Sequence, residues 1–239
     1  MSNHQILNST DHLMLRVRTE TGSDLGDAVM ACLTVPIEFR QIQSEFPIVF
    51  RRDAEQGAFS AMALFGFENG ENLFLEHGQW AARYRPLALA IQPFLVGRPA
   101  SGDGDAQVHI DMDHKRISSD GEGTRVFDDD GRPTPYLDDI ANRLGDLHEG
   151  HKGSADFMAA LSRHELLEPF TLEVPLRDGS KHSLVGFHTI NEEKLRSLDG
   201  DALAELQRDG HLLPIFMAVA SIVQFSELVA RKNARIVDG

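Results

Sequence analysis

The amino-acid sequence predicts an α+β fold, in which a strand-rich N-terminal half packs with a helix-rich C-terminal half around one core. Short apolar runs separated by turn residues dominate the first half, whereas apolar residues at the helical period dominate the second. Of the 239 residues, 41% are apolar, which is enough to fill a buried core. We therefore expect strands and helices that are segregated along the chain but share one core.

The first half of the chain is expected to contain strands and one helix. Residues 12–17 alternate loosely between apolar and polar, which is typical of a half-buried strand. Pro36 opens a helical stretch over residues 37–46, because proline is favoured at a first helical position, and Pro47 ends it. Asn69-Gly70 is a strong hairpin signal. The other strands are predicted at residues 48–50, 59–67, 73–75, 93–96 and 107–111.

The second half is expected to be more helical. Thr134 is the predicted N-cap of a helix that runs to about Leu147, and Ser154 is the predicted N-cap of the next helix. Asp178-Gly179 predicts a hairpin between strands at residues 170–176 and 182–189. Further helices are predicted at residues 192–198, from the Asp199 cap through residue 206, and at residues 213–231.

Length and cysteine content indicate the domain organisation and the compartment. A chain of 239 residues fits a single domain spanning residues 1–239, and the polar, turn-rich segment 118–132 is the candidate lobe boundary. Cys32 is the only cysteine, so no intrachain disulfide can form. The N-terminus also lacks the basic start and long apolar stretch of a secretory signal. These features predict a soluble, cytoplasmic protein.

The strongly acidic composition limits the partners. A formal net charge of −14 repels phosphate backbones, and no cluster of Lys and Arg of the kind that binds nucleic acid is present. The strongest apolar stretch, residues 212–223, is shorter than the ~20 residues that a membrane span needs. We therefore expect a protein partner rather than nucleic acid or a membrane span, and the oligomeric state stays open.

His109 and Asp111 are the sharpest candidates for a chemical site. Residues two apart on a strand project to the same face, so both side chains could bind one metal ion. With a distal histidine, His182 or His188, they would form the two-His, one-carboxylate triad that binds Fe(II) in non-haem oxygenases, and Arg196 could hold a co-substrate carboxylate. The alternative is that they are ordinary strand residues facing solvent, because so short a pattern arises by chance among 11 His and 37 acidic residues.

Trp80 and Tyr84 are the candidate residues for contact with a partner. They lie four residues apart and would share one face if this segment is helical. Aromatic side chains are enriched in protein interfaces, although most aromatic residues belong to a core.

Short motifs follow one another in a defined order along nearly the whole chain. They are Pro47-Ile48-Val49-Phe50, Glu71-Asn72-Leu73-Phe74, Trp80, Tyr84-x-Pro86, Pro93-Phe94, Ile110-Asp111, Phe127, Gly131, Tyr136-Leu137, Leu166-Leu167, Gly186 and Glu193-Lys194-Leu195. This ordered set resembles the SapC family of bacterial proteins. The family pattern would place a tyrosine and an arginine after Gly186, whereas Phe187-His188 stand here, so His188 is particular to this chain.

The resemblance implies an accessory role in nutrient uptake or modification systems and supplies no catalytic residues or cofactor. Two hypotheses follow for the function. The first is a cytoplasmic accessory protein that binds a partner or ligand and performs no catalysis. The alternative is an oxygenase-like enzyme that uses Fe(II) bound by His109, Asp111 and His182 or His188, so the sequence leaves open whether the protein is an enzyme.

Overall fold

Most strands precede the longest helix, and most helices follow it. The protein is described by a computed structural model that covers residues 3–55, 57–97 and 107–238. In these ranges the strands are β1 (His4–Ile6), β2 (Arg16–Val17), β3 (Ala31–Leu33), β4 (Ile48–Arg52), β5 (Phe59–Leu64), β6 (Leu75–Glu76), β7 (Gln79–Trp80), β8 (Phe94–Gly97), β9 (Gln107–Asp111), β10 (Thr124–Arg125), β11 (Leu167–Pro175) and β12 (Lys181–Ile190). The α-helices are α1 (Phe39–Ile42), α2 (Leu87–Ala90), α3 (Pro135–Arg163), α4 (Glu192–Arg196), α5 (Gly200–Arg208), α6 (Leu212–Ser221) and α7 (Gln224–Asp238).

The largest sheet, called the main sheet below, has five antiparallel strands in the order β11-β12-β4-β5-β3. The β11–β12 hairpin comes from the second half of the chain and joins the sheet where β12 pairs with β4. A smaller antiparallel sheet has the order β1-β9-β8. Strands of both halves therefore contribute to one sheet, and the predicted α+β class is confirmed.

Buried apolar side chains form two clusters. The main cluster covers the main sheet and includes side chains of α1, α6, α7 and the C-terminal half of α3. The second cluster lies around the small sheet and includes Leu137, Ile140 and Leu144 from the N-terminal half of α3. Further along the same helix, Phe157 and Leu161 belong to the main cluster. The 29-residue α3 thus contributes to both clusters.

The structure has one long helix where the sequence predicts two. The predicted cap at Thr134 is confirmed, because its side-chain oxygen accepts from the Leu137 N–H at 3.4 Å. Ser154 does not cap a new helix but lies inside α3, where its hydroxyl donates to the Gly150 carbonyl at 2.8 Å. Gly150 also lies inside α3. A glycine inside a helix costs only about 1 kcal/mol relative to alanine, and packing of the apolar face offsets this cost, so the helix stays continuous.

Two strand predictions have different outcomes. The hairpin around Asp178-Gly179 is confirmed, and Gly179 has the positive φ of +85° that its turn requires. The predicted return strand at residues 73–75 does not pair along β5; instead β6 pairs with β7. The reason is local, because the Asn72 side chain accepts from the Phe74 N–H at 3.0 Å and turns the chain.

Candidate functional site

The structure does not bring the predicted metal ligands together. His109 lies on β9 in the small sheet, opposite Leu95, whereas His188 lies on β12 in the main sheet, opposite Phe50. Within the described ranges, no three His, Cys, Asp or Glu side chains form a group that could hold a metal ion. The triad predicted from the sequence is not assembled, because its members belong to two different sheets.

Each member of the His109–Asp111 pair has local contacts. The His109 ring lies over Gly97, where a Cβ would collide with it. The Asp111 carboxylate accepts from the backbone N–H groups of Asn3 and Asp113 at 3.2 and 3.1 Å. These contacts are those of a strand and its following turn.

The two distal histidines also have separate surroundings. His182 Nδ1 lies 2.9 Å from a Glu68 carboxylate oxygen, and His188 meets the Phe59 ring edge-on with the centroids 4.9 Å apart. Burial lowers the pKa of His188. Arg196 forms an ion pair within α4. None of these contacts supports an oxygenase site.

Trp80 and Tyr84, the predicted contact residues, fix their own segment to the main cluster. Trp80 lies at the end of β7 and Tyr84 in the following loop, so the helical arrangement is not observed. The Trp80 indole N–H donates to the Tyr84 carbonyl at 2.9 Å, and the Tyr84 hydroxyl donates to Glu38 at 2.8 Å. Burial and the Glu38 carboxylate raise the pKa of Tyr84 far above its ordinary value. The contact role of these two residues stays a prediction.

The most unusual surface of the molecule is the outer face of α6. Leu213, Phe216 and Val223 are 55%, 50% and 67% exposed, and Ala220 is exposed between them. The spacing of three and four residues places Leu213, Phe216 and Ala220 on one side of α6, and Val223 lies in the turn between α6 and α7. We call these four residues the α6 patch.

The inner face of α6 holds the patch in a fixed position. Ile215 and Ala218 are buried in the main cluster. The buried Ser221 hydroxyl accepts from the Ile48 N–H of β4 at 2.8 Å and donates to the Ala218 carbonyl at 2.6 Å. Because α6 is anchored to a central strand of the main sheet, the outer side chains are presented on a rigid element.

The stretch that carries the patch is free of charge over twelve residues, 212–223. By length and composition alone, the longer stretch Leu212–Ile236 would be able to cross a membrane, because its most apolar window of 18 residues has a mean hydropathy of 1.9, although the core helix of a soluble protein passes the same test. Only 33% of its most apolar window is buried in the structure. In α7 the charges return, and Arg231 and Lys232 pair with Glu76 and Glu68 at 2.7 and 3.0 Å.

A comparison with protein families assigns the chain. The model of the SapC family matches residues 7–228. The chain belongs to the SapC family. The match includes the main sheet, strands β8 and β9 of the small sheet and the α6 patch, so in this SapC protein the patch is part of the matched region. No curated protein and no solved structure matches the chain.

Sequence reasoning about this SapC protein missed the α6 patch because it interpreted the last apolar helix as a core helix. The interpretation holds for the inner face only. Apolar residues occupy nearly all positions around the helix between residues 212 and 223, which is the pattern of a buried helix, so the sequence carried no signal for the exposed face.

Proposed function

We propose that this SapC protein is a non-catalytic accessory protein that acts by binding a protein partner at the α6 patch. The observation that supports the proposal is a set of large apolar side chains, half or more exposed, on one face of α6 and in the turn that follows it, within a stretch that carries no charge. Contiguous exposed apolar surface of this kind marks interaction sites in soluble proteins.

The energy available from the patch is moderate. Full burial of a Val, Leu or Phe side chain contributes about 1.5–3 kcal/mol, so covering the exposed parts of Leu213, Phe216 and Val223 contributes roughly 3–5 kcal/mol. Association itself costs about 4–15 kcal/mol. The patch is therefore an anchor, and polar contacts around it have to supply the remaining affinity.

Charge indicates which partner supplies those contacts. The chain has 37 acidic and 23 basic residues, and a second copy would bring the same net charge of −14. A partner with an apolar anchor surrounded by Lys and Arg would be complementary, and such complementarity raises association rates and suppresses wrong partners. We therefore propose a basic protein partner rather than a second copy.

The test compares two valines of nearly equal exposure. Val223→Asp places a charge in the patch, whereas Val185→Asp changes an exposed valine on β12, 64% exposed, outside the patch. A protein that co-purifies from the native cell with the wild type and with Val185→Asp, but not with Val223→Asp, is purified and titrated against each form by calorimetry. We expect the dissociation constant to rise at least about tenfold for Val223→Asp only, since loss of one apolar contact and desolvation of a charge exceed 1.4 kcal/mol.

Other occupants of the patch give different results. Equilibrium sedimentation of the purified protein would show a dimer if a second copy covers the patch. Flotation with phosphatidylcholine vesicles would show binding if lipid covers it. Either result, if abolished by Val223→Asp, contradicts the proposal, as does equal binding of the reconstituted partner by both variants. The proposal also predicts weaker partner binding as the salt concentration rises.

The proposal also covers the cellular location of the protein and the systems beside which it acts. We infer a cytoplasmic location, supported by the lone Cys32 and the acidic composition, and a role beside uptake or modification systems, which the family resemblance implies. Cell fractionation tests the location, and recovery of the protein with the envelope or the medium would contradict it.

A further inference from the structure

A buried ion cluster formed by Asp27, Arg85 and Arg116 carries one positive charge in excess. The Asp27 carboxylate is fully buried and bonds two guanidinium groups, that of Arg85 through one oxygen and that of Arg116 through the other, both at 2.7 Å. The same carboxylate accepts from the Gly22 N–H at 2.9 Å. Two arginines stay protonated beside one carboxylate, so the cluster has a formal charge of +1.

The two arginines differ in how far their donors are used. Arg116 is buried, and its Nη1 donates to the carbonyls of Arg18 and Glu20 at 2.9 and 2.7 Å. Arg85 has a side chain that is 21% exposed, and within the described residues its only bond is to Asp27. The buried Nε atoms of Arg85 and Arg116 both lack a partner. The cluster thus has spare donors, and Arg85 connects it to the surface.

Further polar groups without partners lie close to this cluster. The buried Gln92 Oε1 has no hydrogen-bond partner, and with His114 it faces the backbone of Gly26, directly before Asp27. Burial, and next the charge of Arg116, lower the pKa of His114, so the imidazole is neutral near pH 7. The Tyr136 ring packs against Phe94 with the centroids 6.1 Å apart. Burial raises the pKa of Tyr136 to about 12, and the charges of Arg116 and Arg85 oppose that shift.

Among the residues that the structure describes, the other carboxylates that act on this region already have partners. The charge of Asp139 raises the pKa of Tyr136, but Asp139 is paired with Arg143 at 2.7 Å. The charge of Asp111 raises the pKa of His114, but the Asp111 carboxylate already accepts hydrogen bonds from two backbone N–H groups. An uncompensated charge at a buried site is costly, and protein sites compensate it with a bound counter-charge.

We propose that Arg85 binds a small oxyanion, a carboxylate or phosphate group of a small molecule, with the Tyr136 hydroxyl as a second donor. The anion would neutralise the Asp27–Arg85–Arg116 cluster and use guanidinium donors that Asp27 leaves free. A planar guanidinium suits both carboxylate and phosphate, because its fork matches two oxygens of either group. The exposed edge of Arg85 gives such a ligand access without unfolding of the site.

The test observes the arginine side chains directly. The Nε–H resonances of uniformly ¹⁵N-labelled protein are followed by NMR while inorganic phosphate, and in a second series acetate, is added at ionic strength held constant with NaCl. We expect the Arg85 resonance to shift and saturate in at least one series. Saturation with phosphate alone or acetate alone identifies which oxyanion the site prefers.

Three variants show whether the anion binds where we propose. Arg85→Lys keeps the charge but loses the fork, and Tyr136→Phe keeps the ring but loses the donor; each should weaken binding about tenfold, the value for a hydrogen bond to a charged group. Arg196→Gln removes a surface arginine on α4 that is 70% exposed and should leave the affinity unchanged. Tyr136→Phe keeps the test valid if Arg85→Lys fails to fold.

The proposal is overturned if neither anion gives a saturable shift of Arg85. It is also overturned if the shift follows NaCl alone, or if Arg196→Gln weakens binding as much as Tyr136→Phe does. The result is independent of the α6 patch, because the variants of the two sites share no residue.

Discussion

The Asp27→Asn substitution should destabilise the protein strongly while leaving its shape intact. Asparagine has nearly the same volume, but it removes the negative charge between Arg85 and Arg116, each 2.7 Å from a carboxylate oxygen. Removing one partner of a buried ion pair costs about 3–5 kcal/mol, because the other charge stays buried without compensation. A single domain is stable by only about 5–15 kcal/mol, so the change is a large share of the total. The expected fall in melting temperature is about 6–20 °C for a chain of this size.

Urea denaturation in a buffer without phosphate or carboxylate measures this cost. Trp80 is the only tryptophan and its ring lies near Phe46, Phe65 and Phe74 with centroids about 5.7–6.4 Å apart, so its emission reports the main cluster. Glu192→Gln is the matched control, because it removes the charge of an exposed ion pair and should cost less than about 1 kcal/mol. Equal unfolding free energies for Asp27→Asn and Glu192→Gln would refute the assignment of Asp27 as a stabilising centre.

Two further predictions concern the other carboxylates that hold loops. Glu38→Ala should cost about 3 kcal/mol in the same urea assay, because the hydroxyl of Tyr84 and the N–H of Leu87 lose their acceptor, whereas Glu38→Gln keeps an oxygen and should cost less than half as much; equal costs would contradict this reason. The hydrogen bond from Lys232 lowers the pKa of Glu68 below its ordinary value of 4.5, so the pair stabilises the folded state above that pH and the gain is lost as the pH falls through the lowered pKa. Glu68→Gln should therefore flatten the acid side of the stability profile by at most about 1 kcal/mol, and an unchanged profile between pH 3 and 6 would contradict the pairing.

The sequence could predict those elements that depend on local chemistry. The caps at Thr134 and Asp199 accept the backbone N–H groups that such residues satisfy at helix starts, and both are confirmed. The Asp178-Gly179 turn is confirmed for the same reason, since glycine adopts its positive φ without steric cost. Long-range pairing is different, because no local signal indicates that β12 lies beside β4.

The buried ion cluster could not be predicted from the sequence, because it also depends on contacts between distant parts of the chain. Asp27 meets Arg85 58 residues away and Arg116 89 residues away, and none of the three stands in a recognisable motif. The predicted metal ligands show the limit of local spacing. The spacing of His109 and Asp111 fixes only that they share a strand, and it does not place a third ligand from another sheet beside them.

The α6 patch is understood only when the sequence and the structure are considered together. Residues 212–223 are apolar and uncharged, and this composition is compatible with a buried helix as well as with an exposed interface. The structure separates them, because Ser221 fixes one face to β4 and thereby leaves Leu213, Phe216 and Val223 on the other face with solvent. Large apolar side chains there lower solubility and gain nothing for the isolated fold, and this is the physical reason for proposing that the patch binds a partner.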